Sequence, residues 1–261
     1  MSFKLSLNST QMLVYGFFLV TLSLNANAIN EQERKVGREI VATYLGAAPL
    51  IDDTKKLQYV NTLGQHLVQF TPQPYRNAVW LFGVINTKSI NAFAAPGGYI
   101  LITQGLFDLV ETEDQLAFIL AHEISHVVKQ HHLAVIQKQS KMKQVIAKMQ
   151  NNVTKNNDMF SDLSDVYKDF AIKGLDKTAE YEADLDGTVL ATKAGFNSYA
   201  GYELLYILSD FHANGKSSEL FFKTHPHPLT RIDELTNKIT EALDKYAINS
   251  KPSSAFKRLR P

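Results

Sequence analysis

Residues 122–126 read His-Glu-Ile-Ser-His, and these residue types at this spacing suit metal-assisted hydrolysis. Two imidazoles four residues apart share one face of a helix and can reach a single ion. The glutamate after the first His is turned about 100° around the helix, beside the ion rather than on it, where it can act as base toward a metal-bound water. The spacing has this meaning only on a helix, and the flanks predict one. Thr112-Glu113-Asp114-Gln115 has the form of a capping box. Leu116, Ile119, Leu120, Ile124, Val127 and Val128 follow at helical spacing, with no Gly or Pro until well past His132. The plainer reading is a surface helix with two ordinary histidines. The apolar stretch Leu116–Val128 instead predicts a buried helix, and buried imidazoles need partners.

Two histidines and a water leave one protein ligand to find. His132 stands ten residues after His122, the spacing of the metzincin pattern H-E-x-x-H-x-x-G-x-x-H, whose glycine lets the chain leave the helix and turn back. Here Lys129 occupies the glycine position, in a segment that reads as helical throughout. His132 on a continuing helix lies out of reach, so a metzincin-type site with His132 as third ligand is only the alternative. His131 and His132 are assigned to supporting or solvated positions. The preferred ligand is distant. Residues 178–190 read Thr-Ala-Glu-Tyr-Glu-Ala-Asp-Leu-Asp-Gly-Thr-Val-Leu, a helix opened by Asp176 and closed near Gly195. Glu180 and Asp184 share a face of it. A glutamate ligand followed one turn later by an aspartate that accepts the far N–H of a ligand His is the gluzincin solution. An acidic, solvated helix face is the other reading, with Glu182 and Asp186 on its other sides.

Three separated motifs, Asn91-Ala-Phe-Ala-Ala-Pro-Gly-Gly-Tyr-Ile100, the His122–His131 helix and Glu180-Tyr-Glu-Ala-Asp184, together with Thr224-His225-Pro226 and Arg231-Ile232, carry a resemblance. The chain resembles the zinc metallopeptidase (gluzincin) family of the CAAX prenyl endopeptidases, the heat-shock membrane protease HtpX and the periplasmic proteases BepA and LoiP, and is most like a stand-alone protease domain of the last two. The resemblance implies one Zn²⁺ per chain on His122, His126 and Glu180, Glu123 as general base and Asp184 as the carboxylate behind a ligand His. It also implies His225 over the metal with Arg231 beside it. The fold expected is α+β, a mostly helical zincin-type domain with a small β-sheet beside the active-site helix.

The sheet has its own signature. Val79–Ile85 and Tyr99–Thr103 are β-rich runs, and Pro96-Gly97-Gly98 is a turn signal, so Ala92–Ala95 is expected as a short strand of a hairpin or meander. Peptidases of this architecture bind substrate as an added strand beside the metal helix. Asn91, Ala92, Phe93 and Ala94 are the residues expected to line that path, the small side chains letting a peptide backbone approach. The other reading is an ordinary tight loop packed on the core.

The first residues set the expected compartment. Met1 and Lys4 precede an apolar run, Met12–Leu24, and Ala26-Asn27-Ala28 supplies small residues for cleavage after Ala28, the pattern of a secretory signal. A periplasmic location follows as an expectation, with 1–28 as signal peptide, 29–249 as the metallopeptidase domain and 250–261 as a basic, disordered tail. Eight His but no Cys occur, which excludes a thiol nucleophile, a disulfide framework and a lipid-anchoring cysteine. Lys plus Arg is 27 against 26 acids, a net charge of +1, so no nucleic-acid partner is indicated. Glu31–Leu45 and Asp52–Phe70 read as amphipathic helices. From Ile124 to Asn157 no acid occurs, and the 137–157 stretch reads as a basic amphipathic helix. Its preferred role is a helix with its apolar side on the core. Peripheral contact with an anionic membrane and a cover over the cleft are the alternatives.

These assignments predict hydrolysis of peptide bonds in unfolded polypeptides or outer-membrane proteins. Glu123 shuttles the proton, and His225, with Arg231 and His227 behind it, either supplies the oxyanion donor or coordinates the zinc in place of water as a latch. The alternative class is a chaperone-like holdase with little proteolysis, but a binding module has no need of Glu123.

Overall fold

The structure, a computed structural model, describes residues 29–138, 175–213, 225–238 and 254–259. The expected signal peptide, residues 139–157 of the basic stretch, Thr224 and both ends of the tail lie outside the described residues. The architecture is the mostly helical α+β one expected. Helices α1 (Glu31–Ala47) and α2 (Thr54–Val68) come first, then strands β1 (Leu81–Ile85), β2 (Ala92–Ala95) and β3 (Tyr99–Thr103). Next stand α3 (Gln104–Leu109), α4 (Glu113–Val128), α5 (Lys177–Lys193), α6 (Ala200–Ala213), α7 (Pro228–Lys238) and α8 (Ser254–Leu259). A further helical run occupies 131–138. Among the described residues no helix is long and apolar enough to cross a membrane.

Strand order in the sheet is β1-β3-β2. β2 and β3 form the expected hairpin, Ala92 opposite Ile102 and Ala95 opposite Tyr99, turned by Gly97 and Gly98 at φ 91° and 85°, backbone that a Cβ disfavours. A meander is not formed. β1 pairs in parallel with β3, because the chain after Ile85 passes over the end of β3 before descending as β2. Alternation along the strands divides their side chains between two layers. Ile85, Phe93 and Leu101 meet α1, with the Phe93 ring stacked 3.7 Å from Tyr44. Phe82, Val84, Ala92, Ala94, Ile100 and Ile102 join the main core with Leu116, Leu120 and Ile124 of α4.

Helix α4 is buried on all sides from Asp114 to Val127, as its apolar sequence predicted; such a helix belongs to a core rather than a surface. Its cap is half as expected. Thr112 accepts the N–H of Gln115 at 3.2 Å, while the Gln115 side chain accepts the N–H of Glu111 at 2.8 Å, one residue before the cap. Asp176 caps α5 through the N–H of Ala179. α5 closes in a Schellman arrangement, Phe196 N–H to Ala191 O and Gly195 N–H to Thr192 O with Gly195 at φ 96°.

The tail differs from expectation. Ser254–Leu259 is helical, and Phe256 is fully buried with its ring 6.0 Å from both Tyr59 and Phe107. One aromatic side chain of this size is worth about 1.5–3 kcal/mol on burial, which offsets part of the cost of ordering a short basic segment whose composition alone suggests disorder.

Candidate active site

The side chains at the centre are carried by α4, α5, β2 and the stretch from His225 into α7. α4 and α5 pack closely because Gly187 faces α4: a Cβ there would stand 2.9 Å from both the Cα and the N of His122. That approach aligns the His122/His126 face of α4 with the Glu180/Asp184 face of α5. His122 Nε2 and His126 Nε2 stand 3.0 Å apart. Glu180 reaches His122 Nε2 at 3.6 Å through Oε2 and His126 Nε2 at 3.5 Å through Oε1. Among the described residues, His122, His126 and Glu180 form a group able to hold a metal ion, their donor atoms all within 4.8 Å of one another. His132 is not part of it.

The arrangement fits a cation. All three side chains are buried, and Glu180 Oε1, itself buried, has no hydrogen-bond partner among the described residues, a costly state for a carboxylate oxygen. Two imidazoles and a carboxylate are a zinc donor set that leaves a fourth position for water or substrate. The electrostatics agree. Burial holds His126 well below its ordinary value, so it is neutral, as a ligand must be. Burial also opposes charge on His122, but Asp184 and Glu180 outweigh it and raise that imidazole to about 9. His122 would hold a metal ion through Nε2 in that proton's place, with Nδ1, 3.0 Å from Asp184 Oδ1, keeping its N–H. Burial favours the neutral acid of Glu180, and His225, His122 and His126 overcome it, keeping the carboxyl well below its usual range.

Glu123 lies beside the group, buried, in a cleft it shares with Ala92, His122, His225 and Arg231. Its inner wall is apolar, made by Phe118, Ile119, Leu204 and Leu208. Burial pushes its carboxyl up, more strongly than His122 and His225 pull it down, as suits a base that must hold a proton in mid-reaction. His225 stands at the group as expected, Nδ1 2.5 Å from Glu180 Oε2 and its ring 5.7 Å from that of His122.

Other expected residues are placed differently. Arg231 was expected behind the oxyanion donor; its Nε and Nη2 donate to Asp184 at 2.8 and 2.5 Å, so it holds the carboxylate that holds His122. His227 is exposed, and its ring accepts the N–H of Leu229 at the start of α7, which removes it from the site. Of the substrate-strand residues, Ala92 alone lines the cleft among Asn91–Ala94. Asn91 is tied to Thr103 through its backbone N–H and carbonyl, and Phe93 faces α1. α4 also does not continue into the histidine pair. It ends at Val128, and Gln130 takes φ 57°, a left-handed turn made without glycine. That turn brings His131 Nδ1 to 2.9 Å from His126 Nδ1 and buries His132 with its ring 5.3 Å from His126. Burial lowers His132 to about 3.

Sequence reading passed over Gly187 and the His131 turn. The first had a signal, a glycine inside an otherwise strong helix; the second had none, since Gln130 is an ordinary helix former.

Comparison with known proteins agrees with this geometry. The chain is 28% identical over 231 residues to the beta-barrel assembly-enhancing protease of Yersinia pestis, covering 84% of this chain and 46% of that protein. The Escherichia coli K12 protein of the same name is 28% identical over 222 residues, 80% of this chain and 44% of its own length. Mitochondrial metalloendopeptidase OMA1 of Schizosaccharomyces pombe is 27% identical over 164 residues, 62% and 48% respectively. The chain thus spans less than half the length of these relatives. Residues 54–239, which hold every side chain of the centre described above, match the model of peptidase family M48, and the chain belongs to that family of zinc-dependent metallopeptidases.

Proposed function

We propose that this chain is a zinc-dependent endopeptidase that hydrolyses peptide bonds of unfolded or misassembled envelope proteins in the periplasm. One observation carries the reading: three buried donors, two imidazoles and a carboxylate, converge on a point, with a further buried carboxylate, Glu123, in the cleft beside them. In this reading His122, His126 and Glu180 hold the ion. Zinc, when bound there, lowers the pKa of a water toward ~7 and polarises the scissile carbonyl.

The remaining steps belong to the chain. Glu123 accepts the proton of the attacking water and returns it to the leaving amine. Its carboxyl is buried in the cleft, and that burial raises its affinity for a proton, the direction a transient proton carrier needs. His225 donates to the oxygen that gains charge at the attacked carbon, from its place beside Glu180. Asp184, gripped by Arg231, keeps the N–H of His122 on Nδ1 so that Nε2 faces the ion. β2, one of the two edge strands of the sheet, runs past the cleft at Ala92, and an extended peptide alongside it presents its carbonyl to Glu123. The envelope assignment is supported by relatives named for beta-barrel assembly and by the signal-like first residues.

Degradation of casein and of an urea-denatured outer-membrane protein, with and without a zinc chelator, tests this reading. Chelator-sensitive cleavage of both is expected. Binding of the denatured protein without cleavage, unchanged by chelator, replaces the peptidase with a holdase.

A further inference from the structure

We propose that His131 is a positioning residue for the metal centre: it fixes the ring of His126 and is itself held by Glu182 and Lys129, the four side chains forming one relay from the ion to the surface. The proposal rests on the reading of His126 as a metal ligand.

The two ligand histidines need the same service and receive it in different ways. A neutral imidazole that coordinates through Nε2 carries its proton on Nδ1, and that N–H requires an acceptor. For His122 the carboxylate placed to serve is Asp184, 3.0 Å from Nδ1. For His126 no carboxylate among the described residues is paired with Nδ1; the atom there is His131 Nδ1, at 2.9 Å. Two facing imidazole nitrogens make a hydrogen bond only when one donates and the other accepts. Coordination at Nε2 makes His126 the donor, so His131 must accept at Nδ1 and carry its own proton on Nε2. That N–H points to Glu182 Oε2 at 3.3 Å. The other carboxylate oxygen of Glu182 receives the Lys129 ammonium at 2.5 Å, and Asp186 holds the same ammonium at 2.9 Å. The direction of every hydrogen bond in the relay follows from the first.

The backbone is shaped for this contact. On a continued helix residue 131 would point away from His126, five positions earlier. α4 instead stops at Val128 and Gln130 adopts φ 57°, a conformation rare for a residue with a Cβ, which in functional regions marks a side chain being aimed. What is aimed is the His131 ring, 5.1 Å from that of His126. The four acids of α5 thereby divide by task. Glu180 faces the ion, Asp184 serves His122, and Glu182 with Asp186 serves His126 through Lys129 and His131. Glu182 and Lys129 are 44% and 39% exposed, so this support meets solvent while the Asp184–Arg231 support is buried.

The test is zinc affinity of the purified full chain by chelator competition, with the visible spectrum of the cobalt-substituted protein as a second readout. His131→Ala should weaken zinc binding by about 10–100-fold, the range for loss of a partner behind a ligand imidazole, and shift the cobalt bands. His131→Gln, whose amide oxygen can accept from His126 while its NH₂ donates to Glu182, should recover most of the affinity. Metal-free unfolding of both variants should match wild type. Zinc affinity of His131→Ala within twofold of wild type overturns the proposal, as does a Gln variant no better than Ala. Should His131→Ala not fold, Glu182→Ala decides, since that exposed residue is dispensable for packing: a loss of about threefold or more supports the relay and no loss overturns it. Absence of stoichiometric zinc in wild type, or its retention in His126→Ala, would instead reject His126 as ligand, an outcome separate from failure of the relay.

Discussion

Arg231 holds Asp184 by two parallel hydrogen bonds, 2.8 and 2.5 Å, deep inside the protein, and the same carboxylate lies 3.0 Å from His122 Nδ1. The guanidinium is thus joined to the metal centre through one intervening side chain. Arg231→Ala strands a buried carboxylate, a loss of about 3–5 kcal/mol. Thermal unfolding of the metal-free variant should show that loss, and zinc retention through gel filtration should fall with it. Arg231→Lys keeps the charge but not the paired geometry, so it should recover only part. A variant as stable and as zinc-loaded as wild type would contradict this role.

Gly187 sets the distance between the two helices that share the ion. Adding one methyl at 2.9 Å from the His122 backbone forces α4 and α5 apart. Gly187→Ala should cost about 1–3 kcal/mol from overpacking and lower zinc affinity at the same time, although Ala is the better helix former. Increased stability in a denaturant titration would show that the helices have room to spare.

The metal-free protein should carry a pH signature. Asp184 and Glu180, against the effect of burial, raise His122 to about 9, above its ordinary value near 6.5. A raised imidazole stabilises the folded state fully below its unfolded value and loses that contribution as pH climbs through the folded one. Urea midpoints measured in chelator should therefore fall between about pH 6.5 and pH 9. Saturating zinc, which occupies the position of that proton, should flatten the trend. A midpoint that rises over this range in chelator would contradict the arrangement.

The short helix α8 makes a separate prediction. Phe256→Ala empties a site between Tyr59 and Phe107 and should destabilise the protein by about 3–5 kcal/mol. A disordered tail would make the same change neutral, so calorimetry distinguishes the two directly.

How much of this was legible beforehand follows physical lines. Local chemistry was readable: Thr112 and Asp176 cap the two metal-centre helices as their side chains require, and the glycine turn places β2 against β3. The pairing of His122 and His126 with Glu180, some fifty residues away in sequence, was readable only because the motif lacked a ligand and an acidic helix face offered one. Arg231 was read as a site residue behind His225, but its pairing with Asp184 was not legible, since spacing along a chain does not say which acid a guanidinium will take. The burial of Phe256 escaped because composition averages over a segment and one aromatic decides it. The turn at Gln130 escaped because tertiary contacts of His131, His132 and Ile136 override an intrinsic helical preference.

The central claim is that Glu123 performs the proton transfer at a centre assembled by other side chains. Glu123→Gln keeps the size of the buried residue and removes its ability to accept a proton. Zinc content, unfolding midpoint and turnover of a casein or peptide substrate, measured on one preparation, test the claim most directly. The variant should bind stoichiometric zinc, keep near wild-type stability and turn over more slowly by at least ~10²–10⁴. Turnover equal to wild type with zinc still bound would contradict it.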